Sequence, residues 1–257
     1  MDNDVLVIED VSKHFGGLKA LSNVSLKVPA NSRYGLIGPN GAGKSTLINA
    51  ITGITPSSSG RITLNSIDLE GKPAHKIARL GIGRTFQTSA VFAGMTVLEN
   101  VAVGAFKHLT ASDIESVFAF PRARAQQREA SELGEMLLEE VGLQDLAHKP
   151  VEELSYGKLR LVEIARALAS EPSIVCLDEP AAGLNPSEVE RVAEILRSLE
   201  KRGVALLLIE HNMKLVFSVV DELTVLHHGS VIAHGNPGFV REHPEVLEAY
   251  LGSRRGH

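Results

Sequence analysis

The run Gly38-Pro-Asn-Gly-Ala-Gly-Lys-Ser-Thr46 constrains this chain more than any other feature. It follows an apolar segment, Arg33 to Ile37, and precedes one with helical patterning, Lys44 to Ile51, that Gly53 closes. The run fits the Walker A pattern GxxxxGK(S/T), with Gly38, Gly43, Lys44 and Ser45 at its fixed positions. Glycines let the backbone turn tightly and aim its N–H groups inward, and the following helix adds the positive end of its dipole. Such a loop cradles phosphate through Gly38, Pro39, Asn40, Gly41, Ala42, Gly43, Lys44, Ser45 and Thr46. In this pattern Lys44 reaches the β- and γ-phosphates and Ser45 supplies a magnesium ligand. An ordinary glycine-rich turn is the competing reading, but it does not require strand, lysine, hydroxyl and helix in this order. The loop specifies nucleotide binding and leaves open which class of nucleotide enzyme carries it.

A second constraint is IVCLDEP, from Ile174 to Pro180. Its apolar residues predict a buried parallel strand over Ser173 to Leu177, with Asp178 and Glu179 emerging at its end. Asp178 suits a magnesium site, and Glu179 suits a base that orients or deprotonates water. Alone, these are two solvated acids; behind a Walker A loop they complete a nucleotide-hydrolysing set. Cys176, the single cysteine, sits inside the apolar run and is expected to be core rather than chemistry.

The first third of the chain reads as strands: Val5 to Ile8, Leu21 to Val28, Arg33 to Ile37 and Arg61 to Leu64. The middle reads as helical. Thr96 and Glu99 predict a capping box. Over Arg122 to Val141, the residues Leu133, Met136, Leu137 and Val141 predict one buried face. Ser155 is placed to cap a helix whose Leu161, Ile164, Ala165 and Leu168 share a side. In the last third, Asn185, Pro186 and Glu188 predict another helix start, with a stripe of Val189, Val192, Ala193 and Leu196 ending at Gly203. A strand over Val204 to Ile209 and a hairpin of Leu223 to Leu226 with Ser230 to Ala233 follow. The order implies an α/β core, residues 1–89 and 171–257, interrupted by a helical insertion at 90–170.

The formal net charge of −5 gives no support for a nucleic-acid partner. No apolar run approaches the roughly 20 residues of a membrane span. The N-terminus, MDNDVLVIED, lacks a signal-peptide pattern. A membrane role therefore requires another chain to span the bilayer.

With these motifs in hand, the chain resembles the ABC ATPase family over nearly its whole length. Gln87, in RTFQT, matches the glutamine that senses magnesium and touches the membrane subunit. Leu154 to Lys158, LSYGK, is similar to the family signature, and His211, in LLIEHN, to the switch histidine at the γ-phosphate. Phe15, in KHFGGLKAL, resembles the aromatic that stacks on adenine. Individually, His211 is also compatible with a surface imidazole and Phe15 with a core ring. The chain departs from the family at Tyr156 and Lys158, where LSGGQ has glycine and glutamine. It departs again at Asn185, where many relatives carry aspartate. Ser155 and Gly157 of the signature remain. These departures, with the ending EVLEAYLG, resemble the branch that imports branched-chain amino acids and related amides or urea.

The resemblance implies a P-loop NTPase core with a mixed sheet, an N-terminal antiparallel β subdomain and an inserted helical subdomain. It implies ATP and Mg2+ as ligands, with Ser45, Gln87 and Asp178 at the metal. Catalysis would rest on Lys44, Glu179 and His211. It also implies a second ATPase subunit, identical or not, whose signature covers this chain's ATP. Partners would be membrane permease subunits at the cytoplasmic face of the membrane and, indirectly, a solute-binding protein. Three alternatives stay open here: an exporter subunit of the lipopolysaccharide-extraction type, a soluble ABC protein, and a binding module without catalysis.

Overall fold

The computed structural model describes residues 4–85, 91–105 and 121–252. Its Cα packing divides the chain into two units, one of residues 1–84, 173–179 and 196–257 and one of residues 85–172 and 180–195.

The first unit holds two sheets. Strands β1 (Asp4–Phe15), β2 (Leu18–Pro29), β4 (Ser59–Leu64) and β5 (Ile67–Asp68) form an antiparallel sheet in the order β2-β1-β4-β5. β1 and β2 are longer than their apolar runs because each continues past a register shift into polar residues. The second sheet contains β3 (Arg33–Ile37), β6 (Ile82–Arg84), β7 (Ile174–Asp178), β8 (Ala205–Ile209), β9 (Glu222–His227) and β10 (Ser230–Gly235). Its order is β10-β9-β3-β8-β7-β6, parallel throughout except for the β9–β10 hairpin. Left-handed His228 and Gly229 make that hairpin turn. Helix α1 (Lys44–Ile51) places Leu47, Ile48 and Ile51 in the apolar cluster that both sheets share. Each such burial contributes about 1.5–3 kcal/mol, which holds the helix that leaves the phosphate loop. Cys176 is fully buried in β7, and burial pushes its thiol up to about 12.

The strand order decides where chemistry can occur. β3, β8 and β7 are neighbours and parallel, so the loops leaving their C-terminal ends meet at one sheet edge. Those loops carry Lys44, His211 and the Asp178–Glu179 pair.

The second unit is helical. α3 (Val97–Ala102), α4 (Pro121–Val141) and α5 (Tyr156–Ala169) pack on one another. Thr96 forms the expected reciprocal capping box with Glu99. α4 corrects one expectation: Met136 is 56% exposed, while Leu138 is fully buried. The buried positions Ala130, Gly134, Leu137 and Val141 are spaced four, three and four apart, with Leu138 beside them, which turns the buried face past Met136. α6 (Pro186–Ser198) begins in the second unit and ends in the first, and a 3-10 turn carries it to left-handed Gly203. Short helices α2 (Ala74–Arg79), α7 (Met213–Val219), α8 (Pro237–Glu242) and α9 (Pro244–Gly252) complete the α-helices among the described residues.

Candidate active site

The phosphate loop is held open by its own neighbours. Gly38 has φ +151, and a Cβ there would collide with the carbonyl oxygen of Leu226. Gly43, at φ +106, would bring a Cβ within 2.7 Å of the Ala20 carbonyl. From the same side the Gly229 N–H donates to the Ala42 carbonyl at 2.9 Å. Gly41 faces the other way, and a Cβ there would meet nothing within 4 Å. Ala42 is buried at 2% exposure, whereas Asn40, Gly41 and Ser45 are exposed on the loop and the helix start. Lys44 is buried, and its Nζ donates to the carbonyls of Gly38 at 2.8 Å and Pro39 at 3.0 Å. Burial lowers the lysine's pKa, while Glu179 and Asp178 raise it. The loop thus encloses its own cation, a cradle shaped for an anion.

Across the edge, Asp178 is the last residue of β7 and is 3% exposed. Burial pushes its carboxyl above the usual range; Arg84 opposes this, Glu179 adds to it, and Lys44 and His211 oppose it. Glu179 leaves the strand in a left-handed conformation, φ 52, and its N–H donates to the Ile209 carbonyl at 2.9 Å. That conformation is uncommon outside glycine and costs about 1–3 kcal/mol, a strain characteristic of active sites. It sends the Glu179 side chain toward β8, where His211 Nε2 lies 2.8 Å from Oε1. The His211 side chain is 40% exposed, a surface imidazole that is paired with Glu179.

Phe15 ends β1 and is 48% exposed, so it is not a core ring; the Lys13 ammonium lies 5.0 Å from its centroid. Gln87 lies outside the described residues. Arg84, just ahead of it, was not singled out by the sequence. Its guanidinium donates to Thr52 Oγ1 at 2.6 Å and Asn49 Oδ1 at 2.9 Å, tying α1 to β6, and it is the largest charge influence on Asp178.

In the helical unit Ser155 occupies the N-cap of α5, yet its exposed side chain makes no capping hydrogen bond. Gly157 is required by close approach, since a Cβ would collide with the Glu188 carboxylate. Glu188 belongs to the helix start expected at Asn185: Asn185 Oδ1 accepts from the amides of Ser187 and Glu188 at 3.0 Å each, and Glu188 Oε2 accepts from Asn185 N–H at 3.0 Å. Asn185 therefore caps this helix through its own side-chain oxygen. Tyr156 has a local role as well: its hydroxyl accepts from Arg160 at 2.7 Å, and its ring borders Gly183 of the AAGLNP loop. Arg160 in turn pairs with Glu163 at 2.9 Å in a fully buried bridge.

Residues 21–182 match the family model described as ABC transporter. The chain belongs to the ABC transporter family. Residues 230–255 match a second family model, described as branched-chain amino acid ATP-binding cassette transporter. The chain is 42% identical, over 98% of its length and 99% of the relative's, to the high-affinity branched-chain amino acid transport ATP-binding protein BraF of Pseudomonas aeruginosa. It is 40% identical to LivG of Escherichia coli K12, with the same coverage of both chains. Among solved structures it is similar to the ADP conformation of MJ1267, an ATP-binding cassette of an ABC transporter. The TM-score is 0.83 at 34% identity, covering 97% of this chain and 99% of that one. The cassette therefore binds nucleotide and hydrolyses ATP. No helix among its described residues is long and apolar enough to cross a membrane.

Proposed function

We propose that this cassette hydrolyses ATP at sites shared with a second ATPase subunit. It would thereby power a separate membrane permease that imports branched-chain amino acids or a chemically related solute. The observation that carries the reading is the convergence of Lys44, the Asp178–Glu179 pair and His211 at one sheet edge, with His211 bonded to Glu179. The cargo assignment rests on the C-terminal family match and on the identity to branched-chain amino acid transport relatives.

In this reading the loop from Gly38 to Thr46 binds the phosphates through backbone N–H groups and the α1 dipole. Lys44 exchanges its two loop carbonyls for phosphate oxygens. Among the described residues no group of three or more His, Cys, Asp or Glu could hold a metal ion alone. A divalent cation at Asp178 would draw its remaining ligands from the Ser45 hydroxyl, phosphate oxygens and water, a shell that suits Mg2+. Gln87 would add the contact that the family resemblance gives it. Mg2+, when bound, neutralises phosphate charge. Glu179 orients or deprotonates the attacking water, and His211 holds Glu179 and faces the γ-phosphate. Phe15 stacks on adenine. Ser155 and Gly157 present a helix N-terminus to the ATP held by the other subunit, because one copy of each motif supplies only half of each of two sites. The permease surface would include the region of Gln87, placing the cassette at the cytoplasmic membrane face.

The experiment is purification of the tagged chain from native membranes, identification of attached subunits, and reconstitution. Leucine-stimulated ATP hydrolysis and leucine uptake are expected. Copurification with an export permease, without amino-acid uptake, would refute the import assignment.

A further inference from the structure

We infer that Glu210 is a positioning residue that fixes the switch loop so that His211 meets Glu179. The inference deepens the reading of His211 and Glu179 given above and rests on it.

Glu210 follows the last residue of β8 and is 3% exposed. A carboxylate so placed needs strong donors to offset the loss of water. One oxygen, Oε2, accepts from two successive backbone amides of its own loop, His211 at 2.8 Å and Asn212 at 3.0 Å. Hydrogen bonds to an ionised acceptor are the stronger kind, and two on one oxygen fix both peptide planes. Asn212 then caps the helix Met213–Val219 by accepting from Leu215 N–H. Upstream, the Ile209 carbonyl receives the Glu179 N–H.

The bonds close a circuit. It runs from the Glu179 backbone to Ile209, through Glu210 to the His211 backbone, and from the His211 ring back to the Glu179 side chain at 2.8 Å. The Glu210 carboxylate joins the His211–Glu179 pair in this circuit as a third side chain. Without it, two amides of the switch loop lose their acceptor. The imidazole then depends on its own rotamer to find Glu179, and misplacement of a catalytic group by about 1 Å can cost on the order of a hundredfold in rate.

The test compares Glu210→Ala and Glu210→Gln in the full chain, with Glu179→Gln and His211→Ala as references. Turnover, MgATP affinity and the histidine ring resonances are measured. In protein labelled with 15N at histidine, the His211 Nε2–H signal is assigned by its loss in His211→Gln. For Glu210→Ala, kcat is expected to fall roughly tenfold to a hundredfold while MgATP affinity stays within about twofold. The His211 Nε2–H signal should be lost to solvent exchange even without nucleotide. Glu210→Gln keeps an accepting oxygen and should restore most of the turnover and the signal. It also decides the matter if the alanine variant does not fold. Parent-like turnover with an unchanged His211 signal in Glu210→Ala would overturn the inference, as would a folded glutamine variant as impaired as Glu179→Gln. If the reference variants lose turnover while Glu210→Ala does not, the positioning role fails and the active-site reading stands. If the references themselves retain turnover, that reading fails and the Glu210 role fails with it.

Discussion

The phosphate loop enters its helix through Gly43 and the signature turn through Ser155, with Gly157 inside the first turn, and the two are built in opposite ways. Around the phosphate loop the chain supplies support and chemistry together. Leu226 and Ala20 back the glycines, Lys44 sits on its own carbonyls, and β7 and β8 bring an acid pair and a histidine to the same edge. Around the signature turn the chain supplies support alone. Glu188 backs Gly157, Arg160 holds Tyr156, and the Ser155 hydroxyl is left exposed without a capping bond. Under the proposed function the first region is the loaded half of a shared ATP site, and the second is the surface that covers the other subunit's ATP.

Substitutions in the loaded half-site should have the largest effects. Lys44→Ala is expected to abolish MgATP binding and hydrolysis together, because the ammonium serves the phosphates in the ground and transition states alike. Calorimetric titration with MgATP and a phosphate-release assay check this; parent-like values in both would break the assignment of the loop. Glu179→Gln should separate the two functions. Shape is kept but proton acceptance is lost, so binding survives while turnover falls by about a hundredfold or more. The same variant should accumulate as an ATP-bound dimer on sizing chromatography, and rapid hydrolysis would remove Glu179 as the base.

Smaller effects sharpen the boundary of the half-site. Phe15→Ala should weaken ATP and GTP alike by about 1–3 kcal/mol, the range of base–aromatic stacking, while Phe15→Trp should not. Equal affinities for parent and alanine variant would remove Phe15 from the site. Asp221 provides a comparison away from the chemistry. It accepts from Arg33 Nη2 at 2.7 Å, Nε at 3.2 Å and backbone N–H at 3.0 Å, tying β3 to the start of β9. Burial pushes its carboxyl up, but the Arg33 bonds outweigh that and hold it below the ordinary value. A depressed folded pKa means stability present above the unfolded carboxylate range and lost as pH falls through the folded value. Its side chain is 45% exposed, so solvent limits the contribution to about 0.5–1 kcal/mol. Asp221→Asn should therefore lower the melting temperature slightly at neutral pH and converge with the parent in acid. A constant difference across pH would contradict the linkage.

How much of this was legible in the sequence follows from how local each signal is. β3 and α1 carry the expected bounds because strand, loop and helix lie in one short segment with glycines at fixed offsets. The Asn185 cap and the Thr96 box were legible for the same reason. Met136 was misplaced because Leu133, Met136 and Leu137 and the observed set around Leu138 differ by a small rotation of one helix. Only the packing of α3 and α5 chooses between them. Arg84 was invisible because its partners, Asn49 and Thr52, are distant in sequence and its strand is too short to show alternation. The His211 motif was legible, but its bond to Glu179 required the strand order β3-β8-β7, which no local pattern encodes. Glu210 carries no local sequence signal, because its place depends on burial at the strand end, where its carboxylate accepts from two backbone amides.

The central claim is that the two regions complete each other across two chains, and complementation tests it most directly. Ser155→Arg should leave MgATP binding intact while blocking hydrolysis, and Lys44→Ala should be inactive for the opposite reason. In a mixed dimer one interface combines both lesions and the other joins an intact phosphate loop to an intact signature. Mixing the two inactive proteins should restore hydrolysis, up to about half the parent rate per mixed dimer if the intact site turns over independently. A cysteine introduced at position 155 should cross-link to the phosphate loop of the other chain. Mixed dimers that form, stay inactive and give no such cross-link would contradict the shared site.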